Sequence, residues 1–145
     1  MTKTMKKKLI LSWTESSSKE NSNGKFLDFI VSGQKLSDYL GIKNSKSVTP
    51  FGFFDNKKEQ QQALKEFRFQ QATRLPGGRV ELYICECCGD IGCGAITAKI
   101  LDRGDKIIWT DFANQTSEDE IGERINVEQL EFERIDYFKA FAALG

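Results

Sequence analysis

The segment Leu75-Pro76-Gly77-Gly78 constrains the fold of this chain more than any other feature of the sequence. Proline lacks an amide hydrogen and glycine readily reaches positive φ, so a regular helix or strand rarely continues through such a segment. Before it the apolar residues recur at helical spacing, and after it they alternate with polar residues. The change of period predicts an α+β fold. Because neither half has enough apolar residues for a core of its own, we expect a single domain over residues 1–145.

Strands are predicted on both sides of this segment. Residues 8–14 and 25–31 are rich in β-forming residues and enclose a polar loop of serines and asparagines, which predicts an N-terminal hairpin. Apolar and polar residues alternate in three consecutive stretches farther along, which predicts a three-stranded antiparallel meander at residues 79–86, 95–101 and 107–112. A further short strand is predicted at residues 130–133.

Three helices are predicted beside this antiparallel sheet. A short helix over residues 35–40 is followed by a glycine, as is typical of helix C-termini. Asn56 with Glu59 three positions later forms a loose capping box, which predicts a helix that begins there and runs to about residue 71. A closing helix is predicted over residues 135–144. The helices are expected to pack on one side of the sheet and at the C-terminus.

The composition argues against several function classes. The chain contains no histidine, which excludes Ser-His and Cys-His nucleophile pairs and the two-histidine zinc helix, so a non-enzymatic role is favoured. Residues 1–8 carry four lysines, but the apolar run behind them is too short for a secretory signal or a membrane span. A cytoplasmic location with reduced cysteines is therefore expected. Those lysines lack an aromatic stacking platform, so nucleic acid is not an expected partner.

The densest motif of the chain is Cys85-Glu86-Cys87-Cys88-Gly89-Asp90-Ile91-Gly92-Cys93-Gly94, between two predicted strands. Cys85 and Cys88 have the spacing of a zinc knuckle and Cys93 could supply a third ligand, but a structural zinc needs four ligands and no second cysteine pair is present. Three interpretations stay open: a zinc site, a thiol redox site, or a hairpin in which Cys85 and Cys93 are small buried side chains facing each other. The expected cofactor is accordingly zinc or none.

This motif belongs to a longer pattern that also includes residues 75–79, 82–85 and 109–112. The pattern resembles a group of small, functionally uncharacterised bacterial proteins that carry a CxxCGDxGCG hairpin. The resemblance covers roughly the second half of the chain and implies no established activity. Because the pattern has no cysteine at the position of Cys87, the resemblance implies that Cys85, Cys88 and Cys93 are the meaningful trio.

The charges of the chain are unevenly distributed although the net charge is zero. Residues 1–110 contain 18 basic and 12 acidic side chains, whereas residues 111–145 contain 3 basic and 9 acidic ones. An acidic surface around an aromatic anchor speeds the encounter with a basic partner and supplies a desolvated contact. An acidic segment that is merely solvated is the alternative.

These observations predict a small cytoplasmic bacterial binding protein, most concretely an immunity or inhibitor protein that neutralises a basic toxin such as a nuclease. The predicted partner-binding residues are Trp109, Asp111, Phe112, Glu118, Asp119, Glu120 and Glu123. The alternative is a zinc-binding or thiol redox protein that uses Cys85, Cys88 and Cys93. No membrane partner is expected.

Overall fold

The computed structural model describes residues 6–16, 24–42, 47–53, 56–87, 89–142 and 144. Within these residues the chain has the predicted α+β fold, with two sheets and three helices. The strands are β1 (Lys6–Lys7), β2 (Leu9–Glu15), β3 (Lys25–Val31), β4 (Gln34–Lys35), β5 (Ser47–Val48), β6 (Arg79–Cys85), β7 (Ala95–Asp102), β8 (Lys106–Gln115) and β9 (Leu130–Glu133). The helices are α1 (Leu36–Leu40), α2 (Lys57–Phe67) and α3 (Arg134–Ala142).

The larger sheet has the strand order β1-β9-β8-β7-β6-β5. Strands β6, β7 and β8 pair antiparallel in sequence order, which confirms the predicted meander. Strand β9, which was predicted at residues 130–133, extends the sheet by pairing antiparallel with β8. Strand β1 pairs with β9 in parallel, with Lys6 opposite Glu131, so the sheet is mixed and the expectation of a wholly antiparallel sheet is wrong at this edge.

The smaller sheet contains the predicted hairpin, formed by β2 and β3, with β4 at its far edge. Only Lys8 separates β1 from β2, so the first described strands join the two sheets directly. No helix among the described residues is long and apolar enough to cross a bilayer.

The helix boundaries follow local chemistry. Helix α1 ends at Gly41, whose φ of 72° is the left-handed conformation that glycine adopts without strain. Helix α2 begins after Asn56, whose side-chain oxygen accepts the Glu59 amide at 3.2 Å. It ends at Phe67, earlier than the sequence predicts, because the chain turns at Phe69 with φ 60°.

A cluster of aromatic rings forms the centre of the core. Trp109 of β8 lies 5.0 Å from the ring of Phe132 and 5.4 Å from that of Phe29, both in edge-to-face geometry, which aromatic pairs favour. Phe29 belongs to the smaller sheet, and Trp109 and Phe132 belong to the larger one, so these rings pack the two sheets together. Helices α2 and α3 contribute further fully buried rings to the cluster, those of Phe67, Tyr137 and Phe141.

Candidate functional site

The guanidinium of Arg79, at the start of β6, is almost completely buried beneath the most acidic part of the chain. Its side chain is 3% exposed. It donates to the Thr97 hydroxyl at 3.0 Å, to the Asp111 carboxylate at 3.0 Å and to the Asp111 carbonyl at 2.6 Å. Burial lowers the pKa of Arg79, and the neighbouring Asp111 opposes that effect. One buried cation therefore joins β6, β7 and β8.

A chain of hydrogen bonds continues from Arg79 to the surface. The Thr97 hydroxyl donates to the Gln115 side-chain oxygen at 2.8 Å, and the Gln115 amide nitrogen donates to the Ser117 carbonyl at 2.9 Å. Thr97 and Gln115 are 0% and 1% exposed, so these bonds are shielded from water. Ser117 lies in the segment of residues 116–123, which we call the acidic loop.

Asp111 holds the other end of the acidic loop. Its carboxylate accepts Arg79 on one oxygen and Arg124 on the other, the latter at 2.9 Å. Asp111 lies at a β-bulge, where Asp111 and Phe112 both face Ala98, and its φ of 52° is a conformation that aspartate tolerates better than most residues. We predicted that Asp111 contacts a partner directly. The structure shows its carboxylate bound to two arginines and 37% exposed, so Asp111 positions the loop, and its contact with a partner stays a prediction.

The acidic loop is an ordered part of the surface. The Asn114 amide donates to the Glu123 carbonyl at 2.8 Å, and the Ile125 amide donates to the Phe112 carbonyl at 2.8 Å. Four exposed carboxylates project from the loop, those of Glu118, Asp119, Glu120 and Glu123. Ile121, in their midst, is 38% exposed. The four predicted acidic partner-binding residues therefore lie together on one anchored segment.

Gly122 allows this loop to approach β8. A Cβ at this position would lie 2.3 Å from the Asn114 carbonyl oxygen, far closer than van der Waals contact permits. We expect Gly122→Ala to push the loop off β8, to cost about 1–3 kcal/mol of stability and to speed exchange of the Asn114 amide hydrogen. Urea unfolding and hydrogen exchange measure both effects.

The matched control is Gly92→Ala, because a Cβ at Gly92 would have only ordinary contacts, the nearest at 3.6 Å. We expect it to change stability little. Unchanged stability and unchanged Asn114 exchange in Gly122→Ala would contradict the close packing of the loop on β8.

Further carboxylates, exposed and buried, lie close to the acidic loop. Burial raises the pKa of Glu81 on β6, and the nearby negative charges of Glu66, Glu118 and Glu59 raise it further. Glu59, Glu66 and Glu81 line a small cavity in which Arg74 is the one basic residue among the described lining residues. Glu59 and Glu66 are seven residues apart, which places both on one face of helix α2, but no local pattern in the sequence brings Glu81 of strand β6 beside them, so the group could not be predicted.

The two aromatic residues that we predicted to anchor a partner are in the core. Trp109 is 0% exposed and Phe112 is 1% exposed. Trp109 packs among Phe29, Phe67 and Phe132, and its indole nitrogen lies 3.4 Å from the Tyr137 hydroxyl. Neither ring presents a surface to a partner in this fold. The prediction of an acidic and aromatic face is therefore wrong in its aromatic part. The exposed residues there are acidic, and Ile121 is the exposed apolar residue among them.

The cysteine turn brings two of the three candidate ligands to one place. Cys85 is half-buried and Cys93 is exposed, and both line a cavity of about 380 Å³ beside β7. The exposure of Cys93 contradicts the interpretation in which both are buried packing residues. Cys88 lies outside the described residues, and the described part of the chain contains no group of three or more metal-ligating side chains. The zinc and redox interpretations stay predictions.

Comparisons with protein-family models, with curated proteins and with solved structures found no match to this chain. The resemblance of the cysteine hairpin to a group of bacterial proteins therefore remains a prediction.

Proposed function

We propose that this chain is a cytoplasmic bacterial immunity or inhibitor protein that neutralises a basic toxin through the acidic loop. The observation that carries the proposal is the anchoring of four exposed carboxylates between Ser117 and Arg124, both held by the buried Arg79 cluster. Association costs free energy for every side chain and loop that must become ordered. A loop that is already fixed avoids much of this cost.

The charge of the loop suits a basic partner. Residues 116–123 contain four carboxylates and no basic side chain, and Glu81 and Glu59 add negative charge nearby. Such a concentration of one sign raises the rate at which oppositely charged proteins meet. Ile121 lies among these carboxylates and supplies the exposed apolar contact that the buried Trp109 and Phe112 do not supply.

The class of function is tested first with the product of the reading frame directly upstream. We expect that frame to encode a larger secreted protein with a basic toxic domain. Co-expression of this chain should restore growth to a bacterial host that the toxic domain arrests, and the two proteins should form a complex. If the toxic domain arrests growth equally with and without this chain, and no complex forms, the immunity proposal is wrong.

The acidic-loop mechanism is tested by charge reversal. We expect the triple variant Glu118→Lys, Asp119→Lys, Glu120→Lys to lower the association rate constant for that toxin about tenfold or more, and to weaken its dependence on salt. Surface plasmon resonance at several salt concentrations measures both quantities.

The matched control is the triple variant Asp105→Lys, Glu128→Lys, Glu133→Lys, which reverses three exposed carboxylates outside the loop and changes the net charge equally. We expect it to retain most of the association rate. Equal losses in the two triple variants would mean that net charge, and not the acidic loop, governs the encounter.

The second proposal, a zinc-binding or thiol redox protein, is favoured by the position of Cys85 and Cys93 on one cavity. It predicts one chelator-sensitive zinc per chain, or thiol-dependent activity, and loss of either in Cys88→Ser. Native mass spectrometry of the reduced protein, with and without chelator, measures the zinc. Metal loss should also lower stability, because a structural zinc contributes its binding free energy to folding. Reduced protein without metal and without thiol activity would overturn this second proposal.

A further inference from the structure

A third cavity lies far from the acidic loop in sequence, between the hairpin sheet, helix α1 and strand β6. Its volume is about 330 Å³, which is at the lower end of the range of small-molecule sites. The charged and aromatic residues among its described lining residues are Glu15, Phe26, Asp28, Lys35, Asp38 and Tyr83. Neither the acidic loop nor the cysteine turn contributes to this lining.

Asp28 is the most unusual residue of this cavity. It lies on β3, is 2% exposed, and has a pKa raised by burial. Its Oδ1 atom accepts the Tyr83 hydroxyl at 2.7 Å and the Phe29 amide at 2.8 Å. The hydrogen bond from Tyr83 also joins the hairpin sheet to the large sheet, so the position of the carboxylate is fixed.

The second oxygen of this carboxylate is accessible from outside the protein. Among the described residues, no hydrogen bond to Asp28 Oδ2 is present, and no fully buried side-chain oxygen or nitrogen lacks a partner. Oδ2 must therefore touch accessible space, and Asp28 lines this cavity. An accessible oxygen on a carboxylate that is otherwise buried and fixed can accept a hydrogen bond from a ligand that enters the cavity.

The charges around the cavity favour a cationic donor. Glu15, Asp28 and Asp38 carry negative charge there and Lys35 is the one basic residue among the described lining residues, which leaves an excess of two negative charges. Lys35 and Asp38 lie close enough to Asp28 to influence its pKa in opposite directions. Hydrogen bonds between charged groups are roughly twice as strong as neutral ones.

We propose that this cavity binds a small organic ammonium or guanidinium ion, whose N–H group donates to Asp28 Oδ2. The aromatic side chains of Phe26 and Tyr83 line the same cavity and offer apolar contact to the carbon skeleton of the ligand. Asp28 is the binding residue, and Tyr83 is a positioning residue that holds the carboxylate through Oδ1. The proposal is independent of the proposed function.

The test uses three linear probes with four carbon atoms each and different charge: n-butylammonium, n-butanol and n-butyrate, together with agmatine as a guanidinium compound. We expect saturable binding of n-butylammonium and agmatine by calorimetry and by NMR shifts at the cavity residues. Asp28→Asn should weaken both about tenfold or more, whereas Asp105→Asn, on the exposed turn after β7, should not.

Lys35→Met provides a second variant. It leaves the hydrogen bond between Asp28 and Tyr83 in place, because the side chain of Lys35 is exposed. Removal of its positive charge should tighten the binding of both cations, and it keeps the test decisive if Asp28→Asn fails to fold. Binding of n-butanol as tight as that of n-butylammonium would show an apolar cavity only. Tighter binding of n-butyrate, weaker cation binding in Lys35→Met, or no saturable binding at millimolar concentrations would overturn the proposal.

Discussion

Replacement of Arg79 by methionine is expected to lower the free energy of unfolding by about 3 kcal/mol. Methionine fills a similar volume but donates no hydrogen bond, so the buried Thr97 carbonyl and the Asp111 carbonyl lose the guanidinium donor. Asp111 retains Arg124 and partial contact with water, which keeps the expected loss at the lower end of the range for broken buried ion pairs. Urea unfolding measures the change.

The same variant should also release the acidic loop. Thr97 and Gln115 lose the cation that orients them, so the amide hydrogens of Asn114 and Ile125 should exchange faster in Arg79→Met. Arg79→Lys should recover only part of the stability, because an ammonium cannot reproduce the planar set of donors.

The control for Arg79 is Arg124→Ala. Arg124 binds the same carboxylate, but its side chain is 57% exposed, and exposed ion pairs contribute about 1 kcal/mol or less. If Arg79→Met were no more destabilising than Arg124→Ala, the buried guanidinium would not be the element that holds the three strands and the loop together.

Replacement of Trp109 by alanine is expected to cost about 3–5 kcal/mol, because it removes a fully buried ring from the centre of the aromatic cluster and leaves a cavity there. A domain of this size is stabilised by only about 5–15 kcal/mol in total, so thermal unfolding should show a large decrease in Tm. The chain supplies its own control. Trp13 on β2 is 52% exposed, and Trp13→Ala should change stability by about 1 kcal/mol or less.

A variant of Trp109 also distinguishes a partner-binding role of this residue from a core role. If Trp109 anchors a partner, Trp109→Phe should weaken binding of the proposed toxin and leave the fold intact. If Trp109 is a core residue, the same variant should be less stable, but its folded form should bind as tightly as before. We expect the second result. A loss of binding in stable Trp109→Phe would restore Trp109 to the partner-binding surface.

The secondary structure could be predicted where local chemistry determines it. The breaker at Pro76, the Asn56 cap and the alternation in β6 to β8 each depend on residues close together in sequence, and the structure confirms all three. The pairing of β1 could not be predicted, because Lys6 and Lys7 carry no strand pattern and their partner is more than 120 residues away.

The prediction that Phe112 is exposed to a partner was wrong, because one bulge changes the phase of strand β8. Strict alternation from Ile107 places Trp109 and Asp111 on one face of β8 and Phe112 on the other. The extra residue at the bulge shifts that phase by one, so Phe112 joins the core and Asp111 turns toward solvent. Nothing in the sequence marks the bulge, since aspartate only tolerates positive φ and does not require it.

The pairing of β1 with β9 has a consequence for how the protein is made. Ribosomes release a chain from its N-terminus, so Lys6 and Lys7 emerge well before Glu131 and Phe132, with which they pair. Hairpin β2–β3 can form before β9 is synthesised, but the edge of the large sheet must wait for β9. Throughout that interval the exposed edge of the growing sheet is a surface that other chains can pair with.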